Sequence, residues 1–218
     1  MAAHCCTNNP STEGARRYFT KYSKTYVRKF KNKGLERVQE LLLQGIRTEQ
    51  VRDKEILDIG CGVGAVHLTL LKEGAARATG VDISDEMIRQ ARRFSTELGV
   101  EERAEYVVGD FVEVRETIRK SDVTVLDKLV CCYEEVESLV KESTAKTKTL
   151  YALSHPRQNF YTELTFKTHI ALARLFRWKF HPFWHNWHHL KETIQSLGFE
   201  LVYSNATPMW QVLVFRRV

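Results

Sequence analysis

Apolar and polar positions come in blocks along most of this chain. Short apolar runs at 55–59, 77–82, 104–108, 121–126 and 147–153 have the length and β-branched content of buried strands. Between them, 64–73, 84–98 and 134–143 carry apolar residues at helical spacing. Strand and helix in regular turn predict an α/β fold, a parallel sheet covered on both faces. After the fifth strand the rhythm changes. Residues 158–180 form a long amphipathic stretch where a plain fold needs one short helix, so they read as a helical insertion. A helix follows to Leu197, stopped by Gly198. Residues 199–203 and 211–215 then read as a closing antiparallel pair.

Ahead of the first strand the pattern differs. Residues 1–14 read as a flexible tail. Over 15–31, Tyr18, Tyr22, Tyr26 and Phe30 recur every four positions and are expected to share one helix face. Gly34 breaks this helix and 35–43 begins a second. The expected layout is a tail at 1–14, lid helices at 15–50 and one main domain at 51–218. Two readings of the lid helices stand: a cover over a bound ligand, with Tyr18, Tyr22 and Tyr26 against substrate, or plain packing.

Composition narrows the class. A chain of 218 residues with 43% hydrophobic content, 11 Gly and 4 Pro suits one globular domain. No apolar run approaches the roughly 20 residues of a membrane span. The start, Met1 to Cys6, lacks the basic and apolar regions of a secretory signal. Five cysteines, four of them in adjacent pairs, do not suggest a disulfide framework, so a cytoplasmic location is expected. The net charge of +6 is concentrated at 16–37 and at 155–191, the latter with six of the eight histidines. Such segments are solvated faces, a nucleic-acid surface, or an entrance for an anionic small molecule. Solvated faces or a small-molecule entrance are favoured over nucleic acid, a small-molecule substrate is expected, and so is a monomer or homodimer.

The chemistry lies in Asp58-Ile59-Gly60-Cys61-Gly62-Val63-Gly64, where a strand enters a glycine-rich turn and a helix. A second strand ends at Asp82, 18 positions after Gly64. This is a nucleotide-binding βαβ unit. A carboxylate at 58 would repel a pyrophosphate on this turn, whereas S-adenosylmethionine (SAM) carries an ammonium and a sulfonium. That favours SAM over a dinucleotide. Val108-Gly109-Asp110-Phe111 and the 121–127 strand ending in Asp127 complete the set.

With four motifs in this order, the chain resembles the class I SAM-dependent methyltransferases over roughly residues 50–218. The resemblance implies a Rossmann-like seven-stranded sheet of order 3-2-1-4-5-7-6, strand 7 antiparallel. It implies SAM held by Asp58, Gly60, Gly62 and Gly64 at the loop. Asp82 and Ile83 would meet the ribose, Asp110 and Phe111 the adenine, and Asp127 would face the methyl group. Methyl transfer from a sulfonium is an in-line displacement, so no metal is expected, although His185 and His189 are four apart.

The acceptor is less legible. The stretch after strand four, Asp127 to Tyr133, lacks the proline-rich clamp of nucleobase amino-methyltransferases, which lowers a nucleic-acid substrate. Phe30 to Arg37 is similar to a segment of magnesium-protoporphyrin O-methyltransferases. Lys29 stands where those enzymes have Tyr, and Cys131-Cys132 displaces their His. The chain is more similar to a set of small methyltransferases with four motifs, here Cys5-Cys6, Lys33-Gly34-Leu35, Val130-Cys131-Cys132-Tyr133 and Leu153-Ser154-His155-Pro156-Arg157. Candidate catalytic residues are Cys132, Tyr133 and His155, with Cys131 and Arg157 at the substrate. The cysteine pair is either a soft ligand site or two small apolar residues. Tyr133 either orients an acceptor oxygen or caps the pocket. The expected activity is methyl transfer to a small anionic acceptor at sulfur or oxygen, such as a thiol or thioether carboxylic acid. A tetrapyrrole carboxylate, RNA, or SAM binding without catalysis are the alternatives.

Overall fold

The structure is a computed structural model and describes residues 10–218. Two helices, α1 (Pro10–Lys33) and α2 (Arg37–Ile46), precede β1 (Glu55–Ile59). Then come α3 (Ala65–Lys72), β2 (Arg77–Asp82), α4 (Asp85–Glu97), β3 (Ala104–Val108), the short α5 (Phe111–Val114) and β4 (Ser121–Leu126). The chain closes with α6 (Val136–Ala145), β5 (Thr147–Pro156), α7 (Phe160–Leu175), α8 (Trp187–Ser196), β6 (Phe199–Ala206) and β7 (Trp210–Arg217). The sheet order is β3-β2-β1-β4-β5-β7-β6, with β7 antiparallel to both β5 and β6. This is the architecture expected from the motifs.

Alternation along each strand builds two cores. Ile56, Leu150, Ala152, Val212 and Val214 face α2 and α3 on one side. Leu57, Tyr151, Leu153, Leu213 and Phe215 face α6 and α8 on the other. The central strands are buried on both faces, so they read as continuous apolar runs.

Three expectations need correction. Helix α1 begins at Pro10, so part of the stretch read as tail is helical; proline is favoured in a first helical turn, where its missing N–H costs nothing. Cys5-Cys6 lie outside the described residues. The tyrosine stripe does not stay on one face: Tyr18 and Tyr22 are 40% and 39% exposed. At 3.6 residues per turn, a step of four overshoots by roughly 40° and the stripe winds away from the core. The inward line is Ala15, Phe19, Ser23, Tyr26 and Phe30, whose one three-residue step corrects the drift. Finally, β5 extends past 153 to Pro156, because β7 pairs with it as far as Pro156–Trp210. His155 is therefore a strand residue and does not lie beyond the sheet edge.

Candidate cofactor and acceptor site

The C-terminal ends of β1, β2 and β4 open into a cavity of about 620 Å³. Open α/β sheets place ligands at this edge, and the volume lies within the roughly 300–1,000 Å³ of small-molecule sites. One end is built by backbone. Gly60 and Cys61 donate their N–H groups to the Val81 carbonyl at 2.8 and 3.0 Å, which ties the loop to β2. Gly60 has φ of 68°, and a Cβ there would sit 2.8 Å from Leu129 Cδ1. Gly62 has φ of 53° and open space where a Cβ would stand, leaving bare backbone on the cavity wall. Gly64, at φ of 90°, caps α3 and does not line the cavity.

Asp82 holds this end together. Its Oδ2 accepts from Gly62 N–H at 2.8 Å and its Oδ1 from Ser84 N–H at 2.9 Å. Each oxygen keeps a further lone pair. Burial raises this carboxyl to about 6, against the two backbone donors. Ile83 also lines the cavity. Across from them, Asp110 Oδ1 accepts from Val112 N–H at 2.9 Å and from the Tyr133 hydroxyl at 2.6 Å. Phe111 forms the wall beside it. Burial and Asp110 raise the Tyr133 hydroxyl above its ordinary range. Tyr133 thus braces Asp110 with its only proton.

Asp58 does not reach the cavity. Its side chain is buried beneath the loop, with Oδ2 2.7 Å from His67 Nδ1. His67 Nε2 in turn lies 3.2 Å from the Tyr106 hydroxyl. Burial raises the Asp58 carboxyl, against the pull of His67. Asp58 is thus screened from the cavity, and the carboxylates that line this end are Asp82 and Asp110.

The other end is assembled from side chains of distant segments. Asp127, at the end of β4, accepts from Ser154 Oγ at 2.7 Å and from Gln39 Nε2 of α2 at 3.0 Å. Lys128, held at φ of 54°, places Nζ 3.1 Å from Glu36 and 3.8 Å from Asp127. Burial lowers this ammonium's pKa, but the two carboxylates outweigh it and leave the value raised. Cys131 and Cys132 both line the cavity, with sulfurs 3.9 Å apart and both against the Lys128 carbonyl. Contact with Cys132, then burial, raises the Cys131 thiol well above its ordinary value. Tyr18, Phe19 and Tyr26 of α1 line this end, with Phe180 packed on the first two, together with Phe166 and His169 of α7 and Trp210.

The remaining sequence candidates fall elsewhere. His155 is buried, stacks on Trp187 at 4.8 Å and does not line the cavity. Burial lowers it to about 4. Arg157 and Tyr22 are exposed and also absent from the lining. His185 Nε2 meets the Tyr133 carbonyl at 2.9 Å, and among the described residues no group of three or more His, Cys, Asp or Glu could hold a metal ion. Phe19, Gln39, Lys128, Phe166, Phe180 and Trp210 were missed. Only Gln39 had a readable signal, the capping box Glu36-x-x-Gln39 that opens α2.

Residues 56–149 match a family model described as a methyltransferase domain. The chain is 33% identical over 108 residues to ribosomal protein L11 methyltransferase of Escherichia coli, a match covering 49% of this chain and 36% of that protein. It thus spans about a third of the length of the curated relatives it matches. Magnesium protoporphyrin IX methyltransferase of Synechocystis PCC 6803, solved with SAM, superposes with a TM-score of 0.72 at 16% identity over 98% of this chain and 99% of that one. The [4+2]-cyclase SpnF superposes at 0.64 with 12% identity, over 82% of this chain and 81% of that one. In its matched segment and in its sheet order, the chain is similar to the class I SAM-dependent methyltransferases. No helix among the described residues is long and apolar enough to cross a membrane.

Proposed function

We propose that the chain binds SAM in this cavity and transfers its methyl group to a small acceptor at sulfur or oxygen. The observation that carries the reading is Asp82: two backbone N–H groups fix its carboxylate, and one lone pair on each oxygen points to a vicinal diol. In this reading Asp82 accepts from both ribose hydroxyls, Asp110 from the adenine amino group, and the bare backbone at Gly62 leaves room for the methionine portion. SAM, when bound, supplies an electrophilic methyl on a sulfonium. The chain supplies approach, alignment and exclusion of water.

The charge of the acceptor is revised. The basic residues Arg16, Arg17, Lys21, Lys24, Arg28 and Lys29 are exposed on the outer face of α1, and none lines the cavity. On the cavity wall, Glu36, Asp127, Glu134 and Glu135 stand against one lysine, which two of these carboxylates already hold. A carboxylate acceptor would be repelled there. The acceptor we propose is uncharged and apolar enough to lie among Tyr18, Phe19, Phe180 and Trp210, such as a thiol, thioether or hydroxyl compound. Likeness to the protoporphyrin enzyme over nearly the whole chain supports a tetrapyrrole carboxylate as the second reading; the acidic wall opposes it.

The likeness to a cyclase makes a transfer assay necessary, since fold does not establish reaction. Titration calorimetry with SAM and S-adenosylhomocysteine should give binding. Labelled SAM offered with neutral thiols and alcohols, carboxylic acids, and RNA should label the first group. Absence of binding ends the proposal; labelling of RNA or of carboxylic acids alone ends the acceptor class.

A further inference from the structure

Helix α7 has two apolar faces, and only one is used. At roughly 100° per residue, Thr162, Phe166 and Ala173 fall within a narrow arc that packs inward. On the opposite side, Tyr161, Leu164, Leu172 and Leu175 fall within an arc of roughly 80°. These four are 80%, 54%, 42% and 73% exposed. Phe160, Phe176 and Trp178 at the two ends of the helix are also exposed, at 73%, 63% and 49%, with Trp178 packed beside His169 at 5.4 Å. Exposed large apolar side chains gathered on one helix face mark an interaction site.

Charge identifies what meets it. Arg157, Lys167, Arg174, Arg177 and Lys179 lie in the same segment, against Glu163 as its only acidic residue. Helix α1 touches the loop that follows α7: its Gly14 sits against the Lys179 carbonyl, and Tyr18 packs on Phe180 at 4.9 Å. The basic helix α1 therefore meets the loop that carries Arg177 and Lys179. A second copy seated on the patch by a two-fold axis would bring these cations against their own equivalents. An anionic lipid surface would satisfy both the apolar stripe and the cations, as interfacial helices do.

We propose that α7 docks on an anionic membrane surface, lying in the headgroup region with Tyr161, Leu164, Leu175 and Trp178 inserted. The helix crosses no bilayer. Its inner face supplies Phe166 and His169 to the cavity, so docking would set the cavity wall one helix diameter, roughly 10 Å, from the lipid. The proposal does not depend on methyl transfer.

The test is sedimentation of the full chain with vesicles, one set of equal phosphatidylglycerol and phosphatidylcholine and one of phosphatidylcholine alone. Binding is expected to the anionic set only, weakening as salt is raised. Leu164→Ser with Leu175→Ser should lower partitioning roughly a hundredfold. Arg174→Gln with Lys179→Gln should lower it roughly fivefold per residue. Trp178 emission should shift to the blue on binding, and the shift should vanish in Trp178→Phe. Thermal melts verify that each variant is folded. No sedimentation with anionic vesicles at low salt would overturn the proposal, as would serine variants that bind like the wild type. Self-association of the wild type abolished by the serine pair would assign the face to a second copy and overturn it as well.

Discussion

The two ends of the cavity are built by different means. At the proposed cofactor end, Gly60 and Cys61 are tied to β2 by main-chain hydrogen bonds to Val81, and Gly62 N–H donates to the Asp82 carboxylate. At the proposed acceptor end, Phe19, Phe166, Phe180 and Trp210 come from four segments that meet only in the folded chain. Backbone held in a sheet cannot yield without breaking the ladder, whereas aromatic side chains on helices can shift at small cost. The first end is suited to a ligand that never changes. The second can be altered by substitution, which is how one fold serves many acceptors.

The sharpest way to break this contrast is at Asp82. Asp82→Ala removes both proposed ribose contacts and leaves the Gly62 and Ser84 N–H groups without their acceptor. At about 1.5–3 kcal/mol per hydrogen bond to a charged group, SAM affinity should fall by roughly two to four orders of magnitude by calorimetry. The pH dependence follows with a definite sign. Burial raises the Asp82 carboxyl from 3.8 to about 6, so the folded protein holds this proton more tightly than the unfolded chain does. From this group alone, stability falls as pH rises from about 4 to about 6. The ribose donates to the ionised form, so SAM affinity should move the other way, dropping roughly tenfold per unit below pH 6. Asp82→Asn should bind weakly at all pH values and lose that slope.

The same contrast explains what could be read from the chain. Glycines that need positive φ, and an acid ending a strand, are local requirements within a few residues of one another. They were legible together with the strand order they imply. Asp58 was legible as a motif but not in its role, because its partner His67 lies nine residues later, in the first turn of α3, and no spacing rule flags the pair. His155 was misplaced because the end of β5 is set by β7, some 55 residues later. The acceptor wall was illegible for the reason that makes it adaptable: its residues share no spacing.

Helix α1 belongs to both ends and can be divided. Its later half is anchored on α4, where Phe30 packs edge-on to Phe94 at 5.0 Å and Lys31 pairs with Glu97 at 3.5 Å. Its earlier half lies over the acceptor end, where Ser11 Oγ meets Glu134 at 2.8 Å. We propose that only this earlier half acts as a lid. Deleting residues 1–19 should lower turnover at least tenfold by admitting water, with a smaller loss of SAM affinity. Hydrogen exchange across 11–20 should slow when SAM binds, while 24–33 should not change. Equal slowing in both halves would make the helix one rigid element. A milder cut at the same end, Phe180→Ala, removes the ring that stacks on Tyr18 and Phe19. It should raise the acceptor KM by about tenfold and leave SAM affinity within twofold.

The smallest effect tests where the border between the ends runs. Tyr133 lies in the segment that leaves β4 toward the acceptor, yet its hydroxyl donates to Asp110 on the cofactor side. If it worked on the acceptor, Tyr133→Phe would lower kcat and leave cofactor binding untouched. Its proton is already committed and its hydroxyl is pushed up by burial and Asp110, so it is a poor base. Removing it takes one of two donors from Asp110 and leaves the Val112 N–H in place. One hydrogen bond of about 1 kcal/mol converts to roughly a fivefold loss of SAM affinity. With SAM saturating, turnover should return to the wild-type rate. A kcat deficit that survives saturation would move Tyr133 to the acceptor end.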